Sequence, residues 1–508
     1  MIRVRLICYA ITIADWIAVS LISVQAGERP QGCTAPDFHL QQFPAASFKV
    51  TDFRATGDGR TNDTAAINKA IEKCNAAGGG DVFFPAGNYS AASIHLKSNV
   101  RFVLDKNATI TGAQDGYDPP EPNPFDRYQD FGHSHFRNAL MFGDHIENFA
   151  IVGGRINGGH IIEGDPGSRP IGDKVIAIKS SRNLLFDGVS HDRGGHFVYL
   201  LNDCDHVTFA NVTIKKSRDG VNLVGCRNVQ VHDCSFTGCG DDTIAVKSDF
   251  ALGRKIDSEN IFVWNCYFES ACNALQIGSE SIGDFRNINF WSIRVGRAWR
   301  AAIGITTVHG GIVDGVNYRD IEVKNAACPI FLRVGSKLLN GTPNKNCGTI
   351  RNVTVSNVSV TDSKSGEEGW PRSCLIAGRP ERPLDNIRLE NIRIAFRGGG
   401  TKFEGEGKIG DSSDHLHKGF GPLPAAAFFI RDVNALSLKG VDLQFISRDA
   451  RPLIVAQDVA RLDLEGLTSQ RDATAGILHL ERVGSLNVIS CSGLKDRKDE
   501  KVASSSEE

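Results

Sequence analysis

Beyond its first 26 residues the sequence has no apolar run approaching 18 residues, which excludes a polytopic membrane protein. No Cys-x-x-Cys pair occurs among its 13 cysteines, so the usual sequence mark of a zinc site is missing. An excess of one charge is missing too. The chain carries 57 Lys and Arg against 59 Asp and Glu, a net charge of −2, so bulk electrostatics gives it no attraction to nucleic acid or to an anionic membrane. Methionine is scarce, at 2, and helical periodicity is confined to one short stretch. With 41% hydrophobic and 23% charged residues, the composition is that of a globular chain and not of a collagen, a coiled coil or a disordered protein. Glycine, by contrast, is abundant: 53 residues, about 10% against a norm of roughly 7%.

The N-terminus reads as an export signal. Arg3 and Arg5 precede a mostly apolar stretch from Leu6 to Val24, and Val24-Gln25-Ala26 offers small-residue positions for cleavage after Ala26. A membrane anchor is the competing reading, and Asp15 in mid-stretch weighs against both. Residues 1–26 are therefore expected to be a signal peptide and the protein to be secreted or periplasmic. Export would permit disulfides, and removing Cys8 leaves an even 12 cysteines. Yet Cys204, Cys226, Cys234 and Cys266 sit in or beside apolar strand patterns, where buried free thiols are the simpler reading.

The decisive feature is a repeat. Asn183 to Val189, His206 to Ile214, Asn228 to Phe236, Asn260 to Phe268, Asn287 to Val295, Asn352 to Val360 and Asn386 to Ile394 share one pattern. Each has a polar residue followed by alternating aliphatic or aromatic positions, with a small or polar residue in mid-pattern. Weaker copies begin near Asn99, Asn148, Gly315, Ala435, Arg461 and Ser485, and the first four full copies are 23, 22 and 32 residues apart. Period-two alternation rich in Val and Ile indicates strands, and repetition at this spacing makes each unit one coil of a solenoid. The intervening segments are too short and Gly-rich for alternating helices. The expected fold is all-β, a right-handed parallel β-helix, whose turns need the αL-tolerant Gly and Asn. One helix is expected over Ala65 to Ala76, with Ile67, Ala70, Ile71 and Cys74 on one face, capping the open end of the first coil. The expected organisation is 1–26 signal peptide, 27–47 N-terminal extension, 48–493 β-helix and 494–508 a charged, disordered tail.

Acidic residues recur in one phase of successive coils. Asp219 lies in Ser217-Arg218-Asp219-Gly220, and Asp241 and Asp242 lie in Gly240-Asp241-Asp242, 22 residues later and so one coil on. Stacked roughly 4.8 Å apart, such carboxylates repel, which raises one pKa while another group stays ionised. That is the arrangement a glycosidase needs for a general acid facing a base. A turn ladder or a bound cation such as Ca²⁺ are the structural alternatives.

Residues 53–59, 62–64 and 81–89 resemble the entry coil of the pectin-lyase-like β-helix superfamily. Residues 217–249 are similar to glycoside hydrolase family 28, the polygalacturonases and rhamnogalacturonases. Asp219-Gly220 matches that family's Asn-Thr-Asp-Gly, with Ser217 and Arg218 replacing Asn and Thr, and Gly240-Asp241-Asp242 matches its Gly-Asp-Asp. The resemblance implies an exported, inverting glycoside hydrolase acting on a pectic or related uronic polysaccharide, with Asp242 as acid and Asp219 and Asp241 activating water. No cofactor or metal is implied, and the expected partner is the polysaccharide alone, with no nucleic acid and no stable membrane partner, met by a monomer. Lys247, Glu280, Thr306 and His309 are the candidate substrate-binding residues. The family's Gly-His-Gly should fall at Ala271-Cys272-Asn273, where Cys272 replaces the His. Its Arg-Ile-Lys should fall at Gly304 to Thr306, where both cations are missing, and Arg300, His309 and Arg333 are the possible substitutes. Without the pair, a uronate carboxylate loses its clearest partner and the groove is not expected to be strongly cationic. A polysaccharide lyase of the same fold and a non-catalytic glycan-binding β-helix are the alternatives. The Pro- and ring-rich insertion from Gly112 to Asn138 either stacks sugars or packs on itself. Lys402 to Pro424 reads as a second groove-edge loop, and the His133/His135 and His415/His417 pairs lack a third metal ligand.

Overall fold

A computed structural model of the chain describes residues 42–507 apart from 130, 165–168, 364–372, 406–421 and 471–475. The presequence, the His415/His417 pair and most of the 402–424 loop lie outside the described residues.

The chain winds as a right-handed parallel β-helix, coil upon coil, from Ser47–Lys49 to Leu478–Ile489. Each repeat recognised in the sequence is the strand of one wall. Leu184, Val207, Val229, Ile261, Ile288 and Val316 are register partners on successive coils, and the row runs on through Val353, Ile387, Leu436, Leu462 and Leu486. Nearly all are inaccessible to solvent, and each such side chain contributes about 1.5–3 kcal/mol of burial. The polar residue that opens the repeat has its own cause. Asn228, Asn260, Asn287 and Asn352 all take φ between 53° and 56°, the left-handed conformation that Asn tolerates. Their amides also form a ladder: Asn260 Nδ2 donates to Asn228 Oδ1 at 3.0 Å and Asn287 Nδ2 to Asn260 Oδ1 at 2.8 Å.

A second wall positions the site. Its strands are Lys174–Lys179, Phe197–Asn202, Asp219–Val224, Ile244–Ser248, Leu275–Ser281, the end of Phe285–Thr307, and Ala326–Val334.

The expected capping helix is Thr64–Ala76, with Ile67, Ala70, Ile71 and Cys74 buried. The tail is different from expectation. Instead of lacking structure, it forms the strand Arg497–Glu507, antiparallel to Leu478–Ile489. The last coil leaves a row of unpaired N–H and C=O groups, and pairing with that edge overrides the tail's polar composition. The β-structure therefore runs past the expected boundary at 493. The 11 described cysteines are all free thiols and 10 of them are buried.

Candidate functional site

Two columns of residues, one per coil, form the corner where the site begins. Backbone hydrogen bonds run from Asp241 N to Arg218 O at 2.8 Å and from Arg300 N to Cys272 O at 2.9 Å, placing Arg218, Asp241, Cys272 and Arg300 in one column. In the other, Asp219 N donates to His196 O at 3.0 Å, Gly220 N to Asp242 O at 2.9 Å and Thr243 N to Asn273 O at 3.2 Å. The register Val221↔Ile244 sets Asp219 opposite Asp242. Equal coil length between the two motifs is what brings carboxylates 23 residues apart together.

These residues open into a cavity of about 220 Å³. All seven sequence-predicted residues, Asp219, Asp241, Asp242, Lys247, Glu280, Thr306 and His309, line it. Glu280 arrives through a bulge: Val246↔Ile277 is followed by Ser248↔Ser281, so two extra residues swing Ser279 and Glu280 into the cavity. His309 Nδ1 accepts the Ser281 N–H at 3.3 Å, which leaves the ring proton on Nε2.

Burial sets the electrostatics. Asp219 is 3% exposed, and desolvation together with the charges of Asp241 and Asp242 pushes its carboxyl well above the ordinary range. Asn222 Nδ2 donates to its Oδ2 at 3.0 Å. Desolvation and Asp241 raise Asp242 to about 6, although Asn273 Nδ2 donates to its Oδ1 at 3.0 Å. Asp241 goes the other way. Desolvation would raise it, but the Cys272 thiol and the cations Arg218, Lys247 and Arg300 outweigh burial and hold it below the usual carboxylate value. Arg218 Nη2 lies 3.3 Å from Asp241 Oδ2. Desolvation disfavours the Lys247 ammonium, yet Glu280 and the three aspartates keep it firmly protonated. Lys247 in turn drives Glu280 far below its ordinary value despite burial.

Sequence reasoning missed part of the lining. His133, Asn273, Gln276, Ser279, Phe331 and Lys337 also face the cavity. Asn273 was within reach, since it stands one coil beyond Asp242. His133 and Lys337 come from irregular segments with no repeat to place them. Arg218, Lys247, Arg300 and Lys337 line the cavity together with Asp219, Asp241, Asp242 and Glu280, so it is rich in charge without being strongly cationic. Of the suggested substitutes, Arg300 and His309 reach the cavity. Arg333 is buried under the next coil, where its Nη1 donates to Gly378 O at 3.1 Å. The insertion's rings pack inward, with Phe125 and Tyr128 edge-on against Phe250.

Carboxylate oxygens of Asp241 and Asp242 and the Cys272 sulfur lie within 4.8 Å of one another, a spacing a cation could share. Cationic donors already serve two of these groups, Arg300 Nη1 on Cys272 Sγ at 3.0 Å and Arg218 on Asp241, and these contacts account for the cluster without a metal.

Comparison with known proteins agrees with the fold. Residues 47–298 match the family model "Rhamnogalacturonase A/epimerase, pectate lyase-like". A Vitis vinifera protein named "Probable polygalacturonase" is 24% identical over 423 residues, spanning 76% of this chain and 82% of that one. The mannuronan C5-epimerase AlgE3 of Azotobacter vinelandii is 25% identical over 258 residues, 45% of this chain but 14% of that much longer protein. The family 28 exopolygalacturonase of Yersinia enterocolitica superposes with a TM-score of 0.60 at 16% identity, covering 82% of this chain and 78% of that one. With its repeat wound as a parallel β-helix and its aspartates in the phase of that family's motifs, the chain shares the fold of these proteins and is similar to the polygalacturonases of glycoside hydrolase family 28.

Proposed function

We propose that the protein is an exported glycoside hydrolase that cleaves a uronic-acid-containing polysaccharide with inversion. The observation that carries this reading is the opposed protonation of neighbouring carboxylates: Asp242 is raised to about 6 while Asp241 is lowered. Asp242, protonated, gives its proton to the glycosidic oxygen, and Asp241, ionised, takes one from the attacking water. Asp219, whose burial keeps a proton on it, steadies that water beside Asp241. The Asp241 and Asp242 oxygens are closer than the roughly 6.5–9.5 Å between facing carboxyls usual in inverting pairs. The water is accordingly held from one side by Asp219 and Asp241 and not between two facing groups. The cations around the cavity support an anionic sugar, and the apolar N-terminal stretch supports export.

The epimerase relatives favour a second reading, proton abstraction from C5 of a uronate, as in a lyase or an epimerase. Lys247 is a poor base for it, being locked as ammonium by Glu280. Assaying products on pectic and alginate polymers separates the two. Hydrolysis yields new reducing ends of inverted anomeric configuration by NMR, whereas elimination yields an unsaturated, ultraviolet-absorbing end. Asp242→Asn should lower turnover about 10²–10⁴-fold, and unchanged turnover would remove the hydrolase assignment.

A further inference from the structure

The insertion between Gly112 and Asn138 is an arm pinned to one end of the site wall. Glu121 accepts the N–H groups of Phe136 and Arg137 at 3.1 and 3.0 Å, and Asn123 Nδ2 donates to Ser134 O at 2.8 Å and Ala251 O at 2.9 Å. Tyr128 packs with Phe250 and Ile282, and Phe125 and Leu339 complete the contact. The arm thus sits where Ile244–Ser248 and Leu275–Ser281 end, and it sends one side chain into the cavity. That side chain is His133, 2% exposed, its ring edge-on to Phe197 and its Nδ1 3.3 Å from Asp249 Oδ2. Asp249 is fixed in turn, since its Oδ1 accepts Ala251 N at 2.9 Å and Asn202 Nδ2 at 3.3 Å. With Nδ1 turned to Asp249, Nε2 is the nitrogen presented to the cavity. Beside it stands the second buried pair, Lys247 Nζ and Glu280 Oε2, at 3.2 Å. Both pairs are at ion-pair distance without hydrogen-bond alignment, so Glu280 Oε2, His133 Nδ1 and Asp249 Oδ2 are buried polar atoms with no hydrogen bond. Glu280 lines the cavity, so a ligand hydroxyl can complete its Oε2, whereas His133 Nδ1 and Asp249 Oδ2 face each other.

We propose that His133, oriented by Asp249, forms with the Lys247–Glu280 pair a subsite for the hydroxyls of a bound sugar. Glu280 accepts from one hydroxyl while Lys247 and His133 hold its neighbour, an acceptor beside donors that fits a vicinal diol. This rests on the hydrolase reading above. Trigalacturonate serves as the probe, its affinity measured by calorimetry in an Asp242→Asn background and its hydrolysis in the otherwise unaltered enzyme. His133→Ala should weaken binding about tenfold and raise KM more than it lowers kcat. His133→Gln, which keeps a donor, should recover part of the loss, and Asp249→Asn should fall between. Binding changed less than about twofold in both His133 variants would overturn the subsite. Absence of any cleavage of uronic oligosaccharides by the unaltered enzyme would overturn the hydrolase reading and the subsite with it, whereas normal cleavage insensitive to His133 overturns the subsite alone.

Discussion

Asp242 shows what the chemistry costs the fold. Its carboxyl is raised from 3.8 to about 6, so the folded chain holds a proton there that the unfolded chain has already lost. The stability associated with that proton is complete below about pH 4 and is lost as pH rises through about 6. Asp242→Asn should therefore make the protein more stable at pH 7, by up to about 3 kcal/mol in urea unfolding, while removing activity. Turnover has the same dependence on its alkaline side, falling as pH passes about 6, because the acid must be protonated. The acidic limb lies lower, where the depressed Asp241 takes up a proton. A pH–rate profile whose alkaline limb fell only well above neutrality would assign the acid elsewhere. Cys272 also acquires a definite place here: Arg300 and Asn273 donate to its sulfur, and its thiol helps to keep Asp241 ionised.

In the ladder wall, the polar residue that opens each full repeat takes positive φ. Replacing Asn260 by Ala removes its amide bond to Asn228 and the bond from Asn287, and forces a Cβ-bearing residue into αL without a compensating polar group. The expected loss is about 2–3 kcal/mol by urea unfolding, and Asn260→Gly should lose less because only the hydrogen bonds are missing. This is also why the β-helix was legible. A conformation required at the same points of successive coils favours Asn, Asp or Gly at recurring intervals, and the alternation between those residues follows from a wall with one buried face. The terminal strand Arg497–Glu507 left no such imprint. Its partner strand is set by topology, its inner face covers a coil edge and not a core, and so its Lys, Asp, Glu and Ser read as unstructured. Removing residues 497–507 should lower Tm and cause concentration-dependent aggregation by light scattering, because the edge of Leu478–Ile489 would be bare.

For the molecule entire, the near-zero net charge concealed a local concentration of charge. Arg218, Lys247, Arg300 and Lys337 converge on one cavity with Asp219, Asp241, Asp242 and Glu280, and opposite charges that cancel in composition are concentrated there as pairs. The carboxylates were legible because coil phase, which the sequence displays, converts directly into proximity. Of the compensating cations, Lys247 and Arg300 were named from the sequence, and Lys337 was not, because it comes from a loop whose path no periodicity dictates. His133 was hidden for the same reason, since it depends on how an irregular arm folds back against Phe250. The two ends of the solenoid differ in kind, a helix closing one and a reversed strand the other. That reversal gives the molecule a grammar of growth. An antiparallel edge does not template another parallel coil, so neither a second copy nor a duplicated segment can extend the stack in register from that end. Lengthening by duplication must happen in the interior, coil between coils, where a whole inserted turn leaves the phase of the aspartates intact and a partial one would rotate them out of the cleft.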